Sequence, residues 1–323
     1  MRLKRLWQVL RVLIAIGLLI WLSRKVNLTE LISGIKEAKG GFLVLAISSY
    51  ILYFLIATFR WRFISLIQRL NHPFKTLFSI YFIAFLFNNI LPTTLGGDVI
   101  RLTYTQEKGR GAVALSVVVV DRIMGMIGLF FLASLSSLFL FLKSGESRFL
   151  IPILIGFLVA LIAALALFSY PVYRLLSKII ERIRVFNLGE RLGRAYYEIN
   201  RYRKSPGVLV FAFLLSLGVQ VSVALAWWFI GKSAGGDVNL LWYLLYIPVV
   251  TVIAMIPITL GGLGLRETSF FGLFTSAGLL TRAQAITTAS LNLGIIIGFC
   301  IIGGIFFITL KRRKNEGSTQ KGP

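Results

Sequence analysis

Acidic residues are scarce in this 323-residue chain: 12 aspartates and glutamates stand against 35 lysines and arginines. Cysteine and histidine occur once each, as Cys300 and His72. A single cysteine excludes an intrachain disulfide, and its apolar surroundings in the sequence mark it as a small packing residue. A single histidine, next to Pro73, leaves no material for a histidine-based relay or a His-rich metal cluster. An ATP-binding loop is also missing. Gly231-Lys232-Ser233 resembles the end of one, but Ala226 stands where that motif requires its first glycine. No cofactor and no metal are expected, and the residues name no catalytic constellation.

What fills the chain instead is apolar sequence. Hydrophobic residues make up 57% of it and the mean hydropathy is +0.83, the composition of a polytopic membrane protein. The net charge of +23 sits mostly in short segments between apolar runs, so it reads as helix orientation and contact with anionic lipid headgroups rather than nucleic acid. Candidate spans are 6–22, 41–59, 76–91, 112–142, 149–169, 208–230, 240–257, 268–289 and 290–310. The first follows a basic start without a small-residue cleavage site, as in a retained helix rather than a signal peptide. Segment 112–142 is long and contains Asp121-Arg122, which predicts a short re-entrant piece, 112–120, followed by a full span.

Basic residues gather at the N-terminus, in a 60–75 loop (Arg60, Arg62, Arg69, Lys75), in 171–207 and after Lys311, which places both termini on the cytoplasmic side. The four basic residues of 23–40, on the outside by the same count, fit this less well. Within 171–207, Leu175, Ile179, Ile183 and Phe186 share one helical stripe, while Arg174, Lys178 and Arg182 share another. That is a basic amphipathic helix, either a linker satisfying the charge rule or a contact for anionic inner-leaflet headgroups. Residues 311–323 read as a disordered cytoplasmic tail.

Two short stretches interrupt the apolar sequence in the same way. Residues 92–101, Pro-Thr-Thr-Leu-Gly-Gly-Asp-Val-Ile-Arg, align with residues 257–266, Pro-Ile-Thr-Leu-Gly-Gly-Leu-Gly-Leu-Arg. Pro92 meets Pro257, Gly96 and Gly97 meet Gly261 and Gly262, and Arg101 meets Arg266, with Gly264 adding a further glycine to the second copy. Proline removes a backbone donor and glycine favours non-helical backbone, so a membrane helix stops at each copy. Such breaks are tolerated at membrane depth only inside protein or along a wet cavity, and paired breaks in two halves point to a transporter's site. With the charge rule, the two breaks are entered from opposite sides. The expected fold is therefore all-α, a polytopic helical bundle with two re-entrant segments. One domain, 1–310, carries inverted halves at about 41–142 and 207–310, with Trp61 and Trp227 each closing the first span of its half.

Charged and polar residues near the breaks are the candidate substrate-binding set: Asn88, Asn89, Asp98, Arg101, Asp121, Arg122, Arg266 and Glu267. A charge at the bilayer centre costs at least ~2.5 kcal/mol, so these groups face a cavity or one another. They can pair with each other and hold the re-entrant loops together, or the arginines can bind a lipid phosphate while the carboxylates meet a cationic headgroup or carry protons. The two roles do not exclude each other.

The ordered combination of Asn-Asn-Ile-Leu-Pro-Thr-Thr-Leu-Gly-Gly-Asp (88–98) with Arg101, then Asp121-Arg122, then the 257–267 motif ending in Arg-Glu, resembles the lysylphosphatidylglycerol synthase transmembrane-region family. The likeness extends over about 6–310. It implies a flippase-like inner-membrane domain that moves an aminoacylated, anionic or polyisoprenoid-linked lipid between leaflets, with Asp98, Arg101, Asp121, Arg122 and Glu267 at the family's polar positions. The aminoacyltransferase domain of fused members is missing, so synthesis of lysyl-lipid is not expected. The rival expectation is a non-transporting membrane subunit that holds a separate glycosyltransferase or aminoacyltransferase at the membrane.

Overall fold

The computed structural model describes residues 36, 38–91, 96–145, 150–169, 188–256, 262 and 264–310. The expected span 6–22, the stripes within 171–187, the tail 311–323, and Pro92, Pro257 and Gly261 lie outside them. The described residues form an all-helical fold: α1 (Gly40–Ile67), α2 (Phe74–Ile90), α3 (Gly96–Thr105), α4 (Gly111–Ser144), α5 (Leu150–Phe168), α6 (Leu188–Arg201) with a 3-10 turn, α7 (Pro206–Ser233), α8 (Leu240–Ala254), α9 (Leu265–Ser276) and α10 (Arg282–Thr309). Five of these, α1, α4, α5, α7 and α10, are long and apolar enough to cross a membrane. A 28-residue helix such as α1 is roughly 42 Å long, more than a ~30 Å hydrocarbon core.

Helices α1 and α7 form the central antiparallel pair. The Lys39 N–H donates to the Ser233 carbonyl at 3.1 Å at one end, and the rings of Phe63 and Phe211 lie 4.8 Å apart near the other. Trp61 and Trp227 are both fully buried on this pair. Around it the order long helix, short helix, break, short helix, long helix occurs twice, as α1–α4 and as α7–α10, and the antiparallel arrangement of α1 and α7 inverts one set relative to the other. The fourth helix of each set crosses to the second helix of the other: α4 packs on α8 and α10 packs on α2.

Helices α2 and α3 form one hairpin and α8 and α9 another. Helix α2 is 17 residues long and α3 only 10. His72, just ahead of α2, donates from Nε2 to the Thr105 carbonyl at the end of α3 at 3.1 Å, so α3 returns to the end from which α2 set out. In the second hairpin Tyr243 near the start of α8 meets Phe274 near the end of α9, with ring centroids 4.7 Å apart. The two hairpins therefore enter the bundle from opposite ends.

Three expectations are corrected. Helix α4 is continuous over 34 residues, without a separate piece at 112–120. Asp121 and Arg122 meet partners from other helices, described below, so the helix has no reason to break there. Helix α1 runs on to Ile67, which puts Arg60 and Arg62 inside a helix rather than in a 60–75 loop; Arg60 is buried. The apolar run 268–310 does not divide near residue 289. Helix α9 ends at Ser276, and Thr281 then opens α10, accepting from the Gln284 N–H while the Gln284 side chain accepts from the Thr281 N–H. That capping box, Thr-x-x-Gln, is written in the sequence and marks the start that hydropathy alone misses.

Close approach of backbones fixes the cross-half contacts. A Cβ on Gly303 of α10 would lie 2.4 Å from the Phe82 carbonyl oxygen of α2, whereas one on Gly298 would meet nothing within 4 Å. Overpacking of this kind costs about 1–3 kcal/mol. Gly303→Ala is expected to lower the thermal midpoint of the detergent-purified protein, and Gly298→Ala to leave it unchanged or slightly raised. Equal midpoints for the two variants would show that α10 and α2 are not in backbone contact.

Candidate functional site

The centre of the bundle is built on one carboxylate. Asp121, eleven residues into α4, is 1% exposed. Arg60 of α1 donates from Nε to Asp121 Oδ1 at 2.8 Å and from a terminal nitrogen to Oδ2 at 3.3 Å. Its other terminal nitrogen donates to Ser216 Oγ of α7 at 2.7 Å, and that hydroxyl in turn donates to the Ala212 carbonyl at 2.8 Å. Arg101 of α3 donates to the same Asp121 Oδ2 at 2.6 Å. One buried carboxylate thus ties together α1, α3 and α4, and through Arg60 also α7. Charge-assisted, bidentate contacts of this kind compensate the desolvation of ions far better than single bonds do.

Asp98 completes the cluster from the first turn of α3. It accepts from Arg101 at 3.5 Å and pairs closely with Arg122 of α4. The Arg101 guanidinium also lies over the Trp61 ring, 4.4 Å from its centroid, and 5.4 Å from that of Tyr81. Stacking on Trp and Tyr stabilises a cation whose water has been removed. The close fit has a steric condition: a Cβ on Gly125 would stand 3.3 Å from the Arg60 guanidinium.

How α3 is held follows from the glycines of the first motif. The Gly97 N–H donates to Asn88 Oδ1 at 2.7 Å, so the last turn of α2 caps the start of α3 across the break. A Cβ on Gly97 would fall 2.5 Å from the Ala84 carbonyl oxygen and 2.6 Å from Asn88 Nδ2; only glycine allows the two helices to approach this far. In the second motif Gly262 and Gly264 have φ of +75° and +84°, left-handed backbone that other residues adopt at a cost. There Glu267 caps α9, its Oε2 accepting from the Gly264 N–H at 2.7 Å.

Beside the cluster lies a cavity of about 300 Å³ between the two hairpins. Asp98, Arg101, Asp121, Arg122 and Arg266 all line it, together with Arg60, and the remaining wall includes Tyr50, Tyr53, Tyr81, Gln220, Thr251 and Trp227. The structure therefore gathers five of the eight sequence candidates at one chamber. Asn88 and Asn89 are placed in the last turns of α2 and outside the lining, Asn88 capping α3 and Asn89 donating to the Phe85 carbonyl of its own helix at 2.8 Å. Glu267 is likewise outside the lining, at the α9 cap. Four arginines and two aspartates face the chamber, an excess of two positive charges. Arg60 was missed by the sequence reading because a basic residue near a helix end is what the charge rule expects at the membrane surface.

Removing one member of a buried ion cluster leaves its partners charged and unpaired, at about 3–5 kcal/mol. Asp121→Asn is accordingly expected to lower stability by about that amount in detergent unfolding, and Asp121→Asn combined with Arg60→Met to cost clearly less than the two single changes together. Strict additivity of the two would show that Arg60 and Asp121 are not coupled.

The profile described as lysylphosphatidylglycerol synthase TM region matches residues 8–304. A UPF0104 membrane protein of Pyrococcus horikoshii is 25% identical over 337 residues, covering 94% of this chain and 97% of its own length. A second UPF0104 membrane protein, from Methanothermobacter thermautotrophicus, is 22% identical over 278 residues, covering 80% of this chain and 82% of its own. With five membrane-long helices and a match over nearly its whole length, the chain belongs to the family of the lysylphosphatidylglycerol synthase transmembrane region.

Proposed function

We propose that the protein is a lipid translocator of the cell membrane, with both termini in the cytoplasm, passing an anionic-headed lipid between leaflets through the central chamber. The observation that carries this reading is the electropositive cavity between two hairpins that enter from opposite ends. A headgroup crossing a membrane needs a polar site near mid-depth, and inverted hairpins supply one that can open to either side. Aminoacylated, simple anionic and polyisoprenoid-linked phosphate lipids all carry the required negative group. The lipid tails stay outside, against the exposed apolar faces of helices such as α5, where Ile151, Ile155, Val159 and Ile162 are uncovered.

The direct test is reconstitution into liposomes containing a trace of headgroup-labelled anionic phospholipid, followed by chemical quenching from outside. Quenching beyond the protein-free level is expected, and Thr251→Phe, which fills the chamber from α8, is expected to reduce it at least several-fold while preserving thermal stability. Quenching at the protein-free level for the folded wild-type protein, across anionic, lysylated and polyisoprenoid lipids, would remove the translocator reading in favour of a non-transporting subunit.

A further inference from the structure

The two sets of helices match in position but not in charge. Asp121 is the eleventh residue of α4; the eleventh residue of α10 is Asn292. Ser216, eleventh in α7, joins the first cluster through Arg60; Tyr50, eleventh in α1, donates to Asn292 Oδ1. The correspondence extends to the rest of the cluster. Arg60 is the twenty-first residue of α1, and the twenty-first of α7 is Ala226, which is fully buried. In the paired motifs Arg101 aligns with Arg266, but Asp98 aligns with Leu263. The second set thus keeps the arginine and lacks both carboxylates that neutralise it in the first.

The consequences are visible at Arg266. It lines the cavity, and no carboxylate lies within ion-pair distance of it among the described residues. Glu267 is the nearest in sequence, but it is turned to the Gly264 N–H. The aromatic cover differs as well. Trp61 stacks on Arg101, whereas its counterpart Trp227 meets Phe270, one turn beyond Arg266, at 4.5 Å. Asn292 is 0% exposed and its Nδ2 has no hydrogen-bond partner. It shares a helix face with Ile296, which lines the cavity, and is bonded to Tyr50, which also lines it. A buried amide donor left open costs about 1–3 kcal/mol, a cost that a bound acceptor would relieve.

We infer that Arg266, with the Tyr50 phenol in the same cavity lining and the Asn292 amide one hydrogen bond behind that phenol, forms an anion subsite in which a phosphate ester takes the place that Asp98 and Asp121 occupy around Arg101. A phosphate offers several acceptor oxygens and a negative charge in place of the missing carboxylates, and arginine binds it in the same forked geometry. The chamber's excess of two positive charges favours such an anionic ligand. This deepens the translocator reading by giving the headgroup a definite seat, and it rests on that reading for its lipid source alone.

Binding decides it, with the thermal midpoint of the purified full chain in neutral detergent as readout. Phosphatidylglycerol, inorganic phosphate and diacylglycerol are titrated separately. Phosphatidylglycerol is expected to raise the midpoint, diacylglycerol to leave it, and Arg266→Gln to weaken the phosphatidylglycerol response at least about ten-fold. Asn292→Asp restores an internal counter-charge, so its midpoint without lipid is expected to equal or exceed the wild-type value while the lipid response is lost. If that variant fails to fold, Arg266→Gln carries the result. An equal response to inorganic phosphate supports the anion seat and assigns it to a soluble phosphate instead of a lipid. Undiminished phosphatidylglycerol binding by Arg266→Gln, or equal stabilisation by diacylglycerol, overturns the site. Phosphatidylglycerol binding that depends on Arg266 in a protein that moves no lipid keeps the site and removes only the translocator reading.

Discussion

The carboxylate of Asp121 is the constraint on which the rest of the bundle turns. In an apolar interior an ion is tolerated only with its counter-ions in contact and its remaining lone pairs used. Asp121 accepts from Arg60 and Arg101, and Arg60 in turn reaches Ser216. Four helices must therefore keep a fixed relation at one point, whatever the surrounding lipids do to their outer faces. Packing explains the tolerance of this arrangement as well as its rigidity. Gly125 and Gly128 on α4 leave room for the Arg60 guanidinium and for Ser216: a Cβ would stand 3.3 Å from the first and 2.6 Å from the second.

The hairpins follow from the same logic applied to the backbone. A helix that ends inside a bundle leaves its terminal N–H and C=O groups without partners. At the first break Asn88 supplies the acceptor for the Gly97 N–H, and at the second Glu267 supplies one for the Gly264 N–H. The two sets use different chemistry for one requirement, an amide from the preceding helix in one and a carboxylate from the following helix in the other. Glycine at these positions permits either the close approach of α3 to α2 or the left-handed turn into α9.

Much of this was legible in the sequence, for physical reasons that can be named. Proline and paired glycines inside apolar runs are unfavourable in a membrane helix, so the two breaks stand out. The charged residues Asp98, Arg101, Asp121, Arg122 and Arg266 stand out for the same reason, and the structure brings all five to one cavity. Partnership was not legible. Arg60 and Asp121 are 61 residues apart in sequence, and nothing local in either marks the other. Arg60 lies close enough to a helix end to pass as an orienting charge. The start of α10 is a different kind of miss, since the Thr281–Gln284 capping box is local and was hidden only by the hydropathy around it. Asn292 could not have been found from the motifs at all, because α9 runs ten residues past its arginine and α3 only four, so a fixed sequence offset does not lead from one set to the other.

The unequal halves suit a division of labour between holding and binding. In the first, Arg60, Arg101 and Arg122 each have a carboxylate partner in Asp121 or Asp98, and Arg101 is stacked on Trp61 as well, so most of the charge at the cavity wall is matched internally. In the second, substitution of Asp121 by Asn292 and of Arg60 by Ala226 at matching positions removes one charge of each sign, which preserves solubility in the bilayer while stripping Arg266 of its neighbours. A charge left uncompensated at mid-membrane costs at least ~2.5 kcal/mol even on the lenient scale. On the proposed reading that cost is the driving term for an anionic headgroup to enter: the lipid would lose water and gain a cation, and the protein would lose an unpaired charge. Under the proposed function, an occupied chamber would carry less net charge than an empty one, and the less it carries the lower the cost of exposing it to one side and then the other.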